Sequence, residues 1–339
     1  RTHHALPHET ALKELGKVEG DQDIESDRSA DELRLEIAQR CAMHVPSAKV
    51  EIWRTASGHE RLGAPLDRVE TMLDRLMACA TASRIVRGRA RAWRATIRYR
   101  TARQLQDAAA KLGSVESTAE DLRLAIDELR QEEADVFLLP ALQTQIEVFA
   151  TLIDILPAEG GQAAWPSLLG EGREVGCEAL ELAGRLRQHR VQRSLEGALG
   201  RLNQAAAVRH LGLSDQDASR ECFRVASDHF ERNFDSSEKA GDRSGMVLMP
   251  SSLVLCSYAL GDVGQARKWC QRYGRMLVAV RSEAARDGDP FLRLHRYVLS
   301  GAPTGDLPHA ERAWSHEWIR PMRGVLRTIY APHLDHLTD

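Results

Sequence analysis

The chain has 339 residues, 43% hydrophobic and 28% charged, a balance typical of folded globular proteins that leaves room for one large or two ordinary domains. A net charge of −3 argues against a protein that coats nucleic acid or anionic membrane over its whole surface. No uninterrupted apolar run reaches the roughly eighteen residues of a membrane span, so no membrane partner is expected.

Ala, Leu, Arg and Glu dominate and aromatics make up only 5%. These residues lose little side-chain freedom in a helix, and runs of alternating Val, Ile, Thr and Tyr between turn residues are nearly absent. The expected class is all-α, with about eleven helices. Six cysteines (Cys41, Cys79, Cys177, Cys222, Cys256, Cys270) form no C-x-x-C pair, the pattern of small buried hydrophobes in a reducing compartment. Cys256 and Cys270 fall where two helices of a hairpin would face each other. The N-terminal Arg1-Thr2-His3-His4 lacks a signal-peptide core. A cytoplasmic location and, from the Ala/Arg-rich usage, a bacterial style of protein are expected. The missing initiator Met suggests a piece of a longer or trimmed chain.

Residues 1–30 read as a flexible tail, 31–157 as a helical subdomain and 158–339 as a second one. Ser29 or Asp31 caps a helix to about His44, with Leu33, Ile37 and Cys41 on one stripe. Lys49–Trp53 has the only strand-like alternation. Pro65 opens a long helix to about Leu112, with a break expected near Gly88. Ser117 and Glu120 form a capping box for the next helix, to about Phe137. Further helices are expected over 141–155, 175–189, 194–211 and 217–234, followed by a polar loop over 235–245. Helices over 246–260, 263–285, 291–299 and 309–330 complete the pattern.

The segment Tyr258-Ala-Leu-Gly-Asp-Val-Gly-Gln-Ala266, with Trp269 and Tyr273 beyond it, resembles the turn of a tetratricopeptide hairpin. Leu211-Gly212, Ala218, Phe223 and Ala226 form a looser copy. The resemblance covers roughly residues 194–285. It implies antiparallel helical hairpins stacked as an α-solenoid, with a Gly at the tight turn and an Ala where the two helices cross. The family's Trp, first-helix Gly and closing Pro are missing, and no regular 34-residue period exists.

The sharpest local feature is an arginine run without a single acid between Ser83 and Arg103. Arg84, Arg87, Arg91, Arg94 and Arg98 fall within an arc of about 80° on a helix, and Val86, Ala90, Trp93 and Ile97 line the adjoining apolar face. Guanidinium forks match carboxylates and phosphates bidentately, so this stripe, with Trp93 and Tyr99, is the expected contact for an acidic protein surface or for nucleic acid. The alternative is internal. The next helix carries Glu116, Glu120, Asp121, Asp127, Glu128, Glu132, Glu133 and Asp135 against only Arg123 and Arg130, and would neutralise the stripe across a short turn.

His309, Glu311, His316, Glu317, His333, Asp335 and His336 use the currency of zinc sites, but without H-E-x-x-H spacing surface residues are the expectation. No metal and no cofactor is expected. Gly170–Gly176 has neither P-loop nor dinucleotide-loop spacing and reads as a turn entering a helix. Met246–Cys256 is apolar all round, which marks a central core helix, or the floor of a groove for a peptide or helix. No catalytic signature is present. The expected function is a non-catalytic helical interaction protein acting as a scaffold, regulator or inhibitor, such as a toxin-neutralising protein. The alternatives are a nucleic-acid-associated factor using the arginine helix, and an enzyme with a C-terminal His/carboxylate metal site.

Overall fold

The computed structural model describes residues 35, 60–80, 82–103, 105, 107–157, 164–280, 283–301, 307–315, 319, 323–330 and 333–334. The described residues are all-α and contain no strand; Lys49–Trp53 and the N-terminal tail lie outside them. Thirteen helices are present there, against the eleven expected. The chain divides into two compact units, Arg1–Leu156 and Pro157–Asp339.

The first unit contains α1 (Glu60–Ala78), α2 (Arg84–Ala102), α3 (Ala108–Gln131) and α4 (Asp135–Ile155), each packed on the next, with α4 also touching α2. The long helix expected from Pro65 to Leu112 is in fact α1, α2 and the start of α3, with breaks after Ala78 and after Ala102. At the first break the Ser83 hydroxyl accepts from the Val86 amide and caps α2. Gly88 lies inside α2, and a Cβ there would meet Leu129 Cγ at 3.0 Å, so the missing side chain lets α2 and α3 approach closely. The expected capping box at Ser117 is mid-helix. Asp107 caps α3 instead, accepting from the Ala110 amide at 2.6 Å, and the helix runs through Gly113 in open space. Helix α4 begins six residues earlier than expected and holds Pro140 on an exposed face. It is long and apolar enough to cross a membrane, but 61% of its apolar window is buried inside the molecule, as in a core helix.

The second unit runs α5 (Trp165–Arg185), α6 (His189–Gly212), α7 (Gln216–Ala240), α8 (Arg243–Ala259), α9 (Val263–Val280), α10 (Glu283–Gly288), α11 (Pro290–Leu299), α12 (Leu307–Trp314) and α13 (Arg323–Tyr330). From α5 to α9 each helix packs on its successor. Helix α8 also touches α6 on one side of the sequence and α11 on the other, and α13 returns to pack on α6 and α8.

Five of the helix-to-helix turns share one construction. Glu133, Arg187, Ser214, Gly241 and Gly261 each adopt left-handed φ (50°, 53°, 62°, 65° and 82°) one or two residues past the helix end. The next amide then reaches back five residues: Ala134 to Leu129, Gln188 to Ala183, Asp215 to His210, Asp242 to Ser237 and Asp262 to Ser257. This double closure satisfies the carbonyls a helix end leaves open. In three of the five, the same residue turns donor-seeker for the following helix: Asp215, Asp242 and Asp262 accept from the amides of Ala218, Gly245 and Gln265. One residue thus closes one helix and opens the next.

Small residues set the tightest crossings. A Cβ on Gly200 would stand 2.5 Å from the Phe230 ring, and one on Gly197 2.9 Å from Asn233 Nδ2. Asn233 donates to the Arg193 carbonyl and Ser237 to Asn233, which keeps α7 helical to Ala240 where a polar loop was expected. Gly176 likewise makes room for Leu199 and lies within α5, so Gly170–Gly176 is helix rather than turn.

Candidate functional site

Helix α2 is the middle helix of its unit, with α1 and α3 beside it, and its arginines meet acids from both. Arg91 reaches Glu128 through Nε and Nη2, both at 3.4 Å. Arg94 donates to Asp74 at 2.6 Å and to Asp121 at 2.7 Å. Arg98 donates to Glu70 and, through Nη1, to the other oxygen of Asp121, both at 3.4 Å. Asp121 is therefore a bridge between two arginines, with only 12% of its side chain exposed. Burial alone would lower the Arg94 pKa; the hydrogen bonds and charges of Asp74 and Asp121 outweigh it and raise the pKa above the ordinary value.

Toward the start of the helix the pairing loosens. Arg84 donates to Gln131 at 3.2 Å and lies 3.8 Å from Glu132, with 56% of its side chain exposed. Arg87 folds back to the Ala82 carbonyl at 2.6 Å. Trp93 is half-buried against the cluster of Val69, Leu73, Val86, Ala90 and Ile97. Tyr99, expected at a contact surface, is instead 4% exposed, with its hydroxyl donating to the Glu147 carbonyl and 2.9 Å from Thr151 Oγ1. A ring so placed offers no face to a base. Arg89, off the stripe, is buried with its guanidinium 3.9 Å above the Phe137 ring. The arrangement binds α1, α2 and α3 through charge, and Arg91, Arg94 and Arg98 each donate at least two hydrogen bonds to carboxylates within the unit.

The second unit holds a cluster that spacing did not reveal. His295 of α11 is fully buried, its Nδ1 2.6 Å from the Tyr330 hydroxyl and its Nε2 2.9 Å from Ser251 Oγ. Burial pushes the His295 pKa down to about 3, so the ring is neutral, one nitrogen donating and the other accepting. The Tyr330 ring packs edge-on against Tyr258 of α8, with centroids 4.9 Å apart, and burial drives its phenol pKa upward. Nearby, Tyr273 of α9 donates to Asp289, which also caps α11 through the Leu292 amide at 2.8 Å. Three elements, α8, α11 and α13, thus join at one imidazole, and the Tyr273 ring of α9 stands edge-on to it with centroids 6.3 Å apart. A lone buried His carries no spacing signal; only the apolar run of α8, which supplies Ser251 and Tyr258, pointed here.

Cys256 and Cys270 are buried free thiols, both with pKa raised by burial. Among the described residues no group of three or more His, Cys, Asp or Glu converges as a metal site. His316, Glu317, Asp335 and His336 lie outside them. Compared with known proteins, the chain matches no family model and no curated relative.

Proposed function

We propose that the chain is a non-catalytic helical interaction protein, a scaffold, regulator or inhibitor that binds another protein through its second unit, built as a tetratricopeptide-like array of hairpins. The observation that carries this reading is the succession α5 to α9, in which each helix packs on the next through repeated one-residue left-handed turns and glycine-lined crossings. The Tyr258–Ala266 segment supports it: Gly261 takes the left-handed turn position and Ala266 is fully buried. Arrays of this kind present one layer of alternate helices as an extended surface for partners. The arginine stripe enters the reading as the clamp of the first unit, since its acids come from α1 and α3.

The test is the state of the chain in its source cells. Gentle isolation followed by size exclusion with light scattering is expected to give a stoichiometric complex with a second protein that survives nuclease treatment. A complex that falls apart with nuclease favours the nucleic-acid alternative, and a lone chain at every concentration overturns the proposal.

A further inference from the structure

Helix α13 stands apart in the way it is held. From α5 to α9 each helix packs on the one that follows, yet α13 packs on α6 and α8, which precede it by many tens of residues, and meets α11 through the Tyr330–His295 hydrogen bond. It has only eight residues, too few to be helical by itself in water, so its form depends on the surface beneath it. Val325, Leu326, Ile329 and Tyr330 are buried, spaced as one apolar stripe, and Gly324 is exposed. Tyr330 is its anchor. The phenol goes to full burial beside Tyr258 and ends on His295, whose other nitrogen is held by Ser251.

We propose that α13 is an internal stand-in for a partner helix, and that the surface of α6, α8 and α11 beneath it is the protein-binding face of the chain. The occupant it fits is an amphipathic helix of the pattern Val-Leu-x-x-Ile-Tyr from another protein, the tyrosine hydroxyl being read by His295. The inference deepens the interaction-protein reading and rests on it. Tyrosine is selected over phenylalanine because a buried imidazole nitrogen facing a bare ring is left without a partner, whereas the hydroxyl satisfies it. An internal helix covering the face lowers the apparent affinity for an external one by the fraction of time the face is covered.

The test uses the full chain and a synthetic fluorescent peptide spanning residues 321–336. In wild type α13 competes with the peptide; in the Leu326→Asp/Tyr330→Ala variant it is loosened. The variant is expected to bind the peptide at least tenfold more tightly than wild type, and a peptide carrying Tyr330→Phe is expected to bind the variant about tenfold more weakly. If the double variant loses its helical circular dichroism, Ile329→Ala serves as the milder loosening, with the same expected order. Equal binding by wild type and a folded, loosened variant overturns the proposal. So does a folded variant that ignores the peptide, or one that binds the tyrosine and phenylalanine peptides alike. The assay needs no natural partner, so failure to isolate a protein complex sinks the broader reading while leaving this result to stand or fall by itself.

Discussion

Each of the two units is held together internally, and by different physics. In the first, charged side chains on α2 bridge to carboxylates on both neighbours, and Asp121 joins two of the bridges. In the second, the close pair α6–α7 meets across Gly197 and Gly200, with Phe230 pressed to the α6 backbone and Asn233 of α7 donating to the Arg193 carbonyl of α6. Charge pairing tolerates small shifts in position but not a change of sign. Steric fit tolerates neither a methyl group nor a shift, but is indifferent to salt and pH.

The sharpest way to break the contrast is to reverse the stripe. Replacing Arg87, Arg91, Arg94 and Arg98 by Glu sets acid against acid over a half-buried surface, and the loss is expected to exceed about 4 kcal/mol. Hydrogen exchange should rise steeply in α1 to α3 and stay as in wild type in α6 and α7. Retained protection in α1 to α3 would show that the arginines are not the clamp. Asp121→Ala is the smaller version. It strands Arg94 and Arg98 together, and about 3 kcal/mol is expected in denaturant unfolding, more than for Glu128→Ala, whose arginine loses a single acid at 3.4 Å.

In the second unit Gly200→Ala adds one methyl where Phe230 already sits, with an expected cost of about 2 kcal/mol and faster exchange confined to α6 and α7. A neutral result would mean that the ring moves aside freely. The smallest effect separates the units by pH. His295 is held neutral in the fold, with a pKa near 3 against 6.5 in the open chain, so the unfolded state binds the extra proton. Its contribution is complete above about pH 6.5 and declines as pH falls toward 3, by about 1.4 kcal/mol on reaching pH 5.5. Comparing urea unfolding of wild type and His295→Gln at pH 7.5 and 5.5 isolates it; equal pH sensitivity of the two proteins would refute the assignment.

The all-α class was legible because composition and the lack of alternation both report it. Helix ends were less so. Asp107 and Ser83 had to outcompete Ser117 as caps, and only the packing of α2 between two neighbours decides that. The same error hid half the clamp. With the break expected near Gly88 rather than after Ala78, no pattern in the sequence set Glu70 and Asp74 opposite Arg94 and Arg98. The α3 acids were visible as a counter-charge, and Glu128 and Asp121, with Glu132 more loosely, proved to be members that reach across. The His295 cluster was illegible for another reason. Its members come from α8, α11 and α13, and no local pattern announces a contact between residues 251, 295 and 330.

The shared turn has a consequence for how this chain can change its length. Ordinary surface loops absorb insertions at little cost, because their closing entropy grows slowly. Here the junctions at Ser214, Gly241 and Gly261 have no slack, since a single left-handed residue is followed at once by the aspartate that starts the next helix. One added residue would swing the following helix by about 100° and bring its apolar stripe round toward water. Growth of such a chain is thus quantised. Whole hairpins can be gained or lost, while single residues at these corners are the changes that selection should remove first.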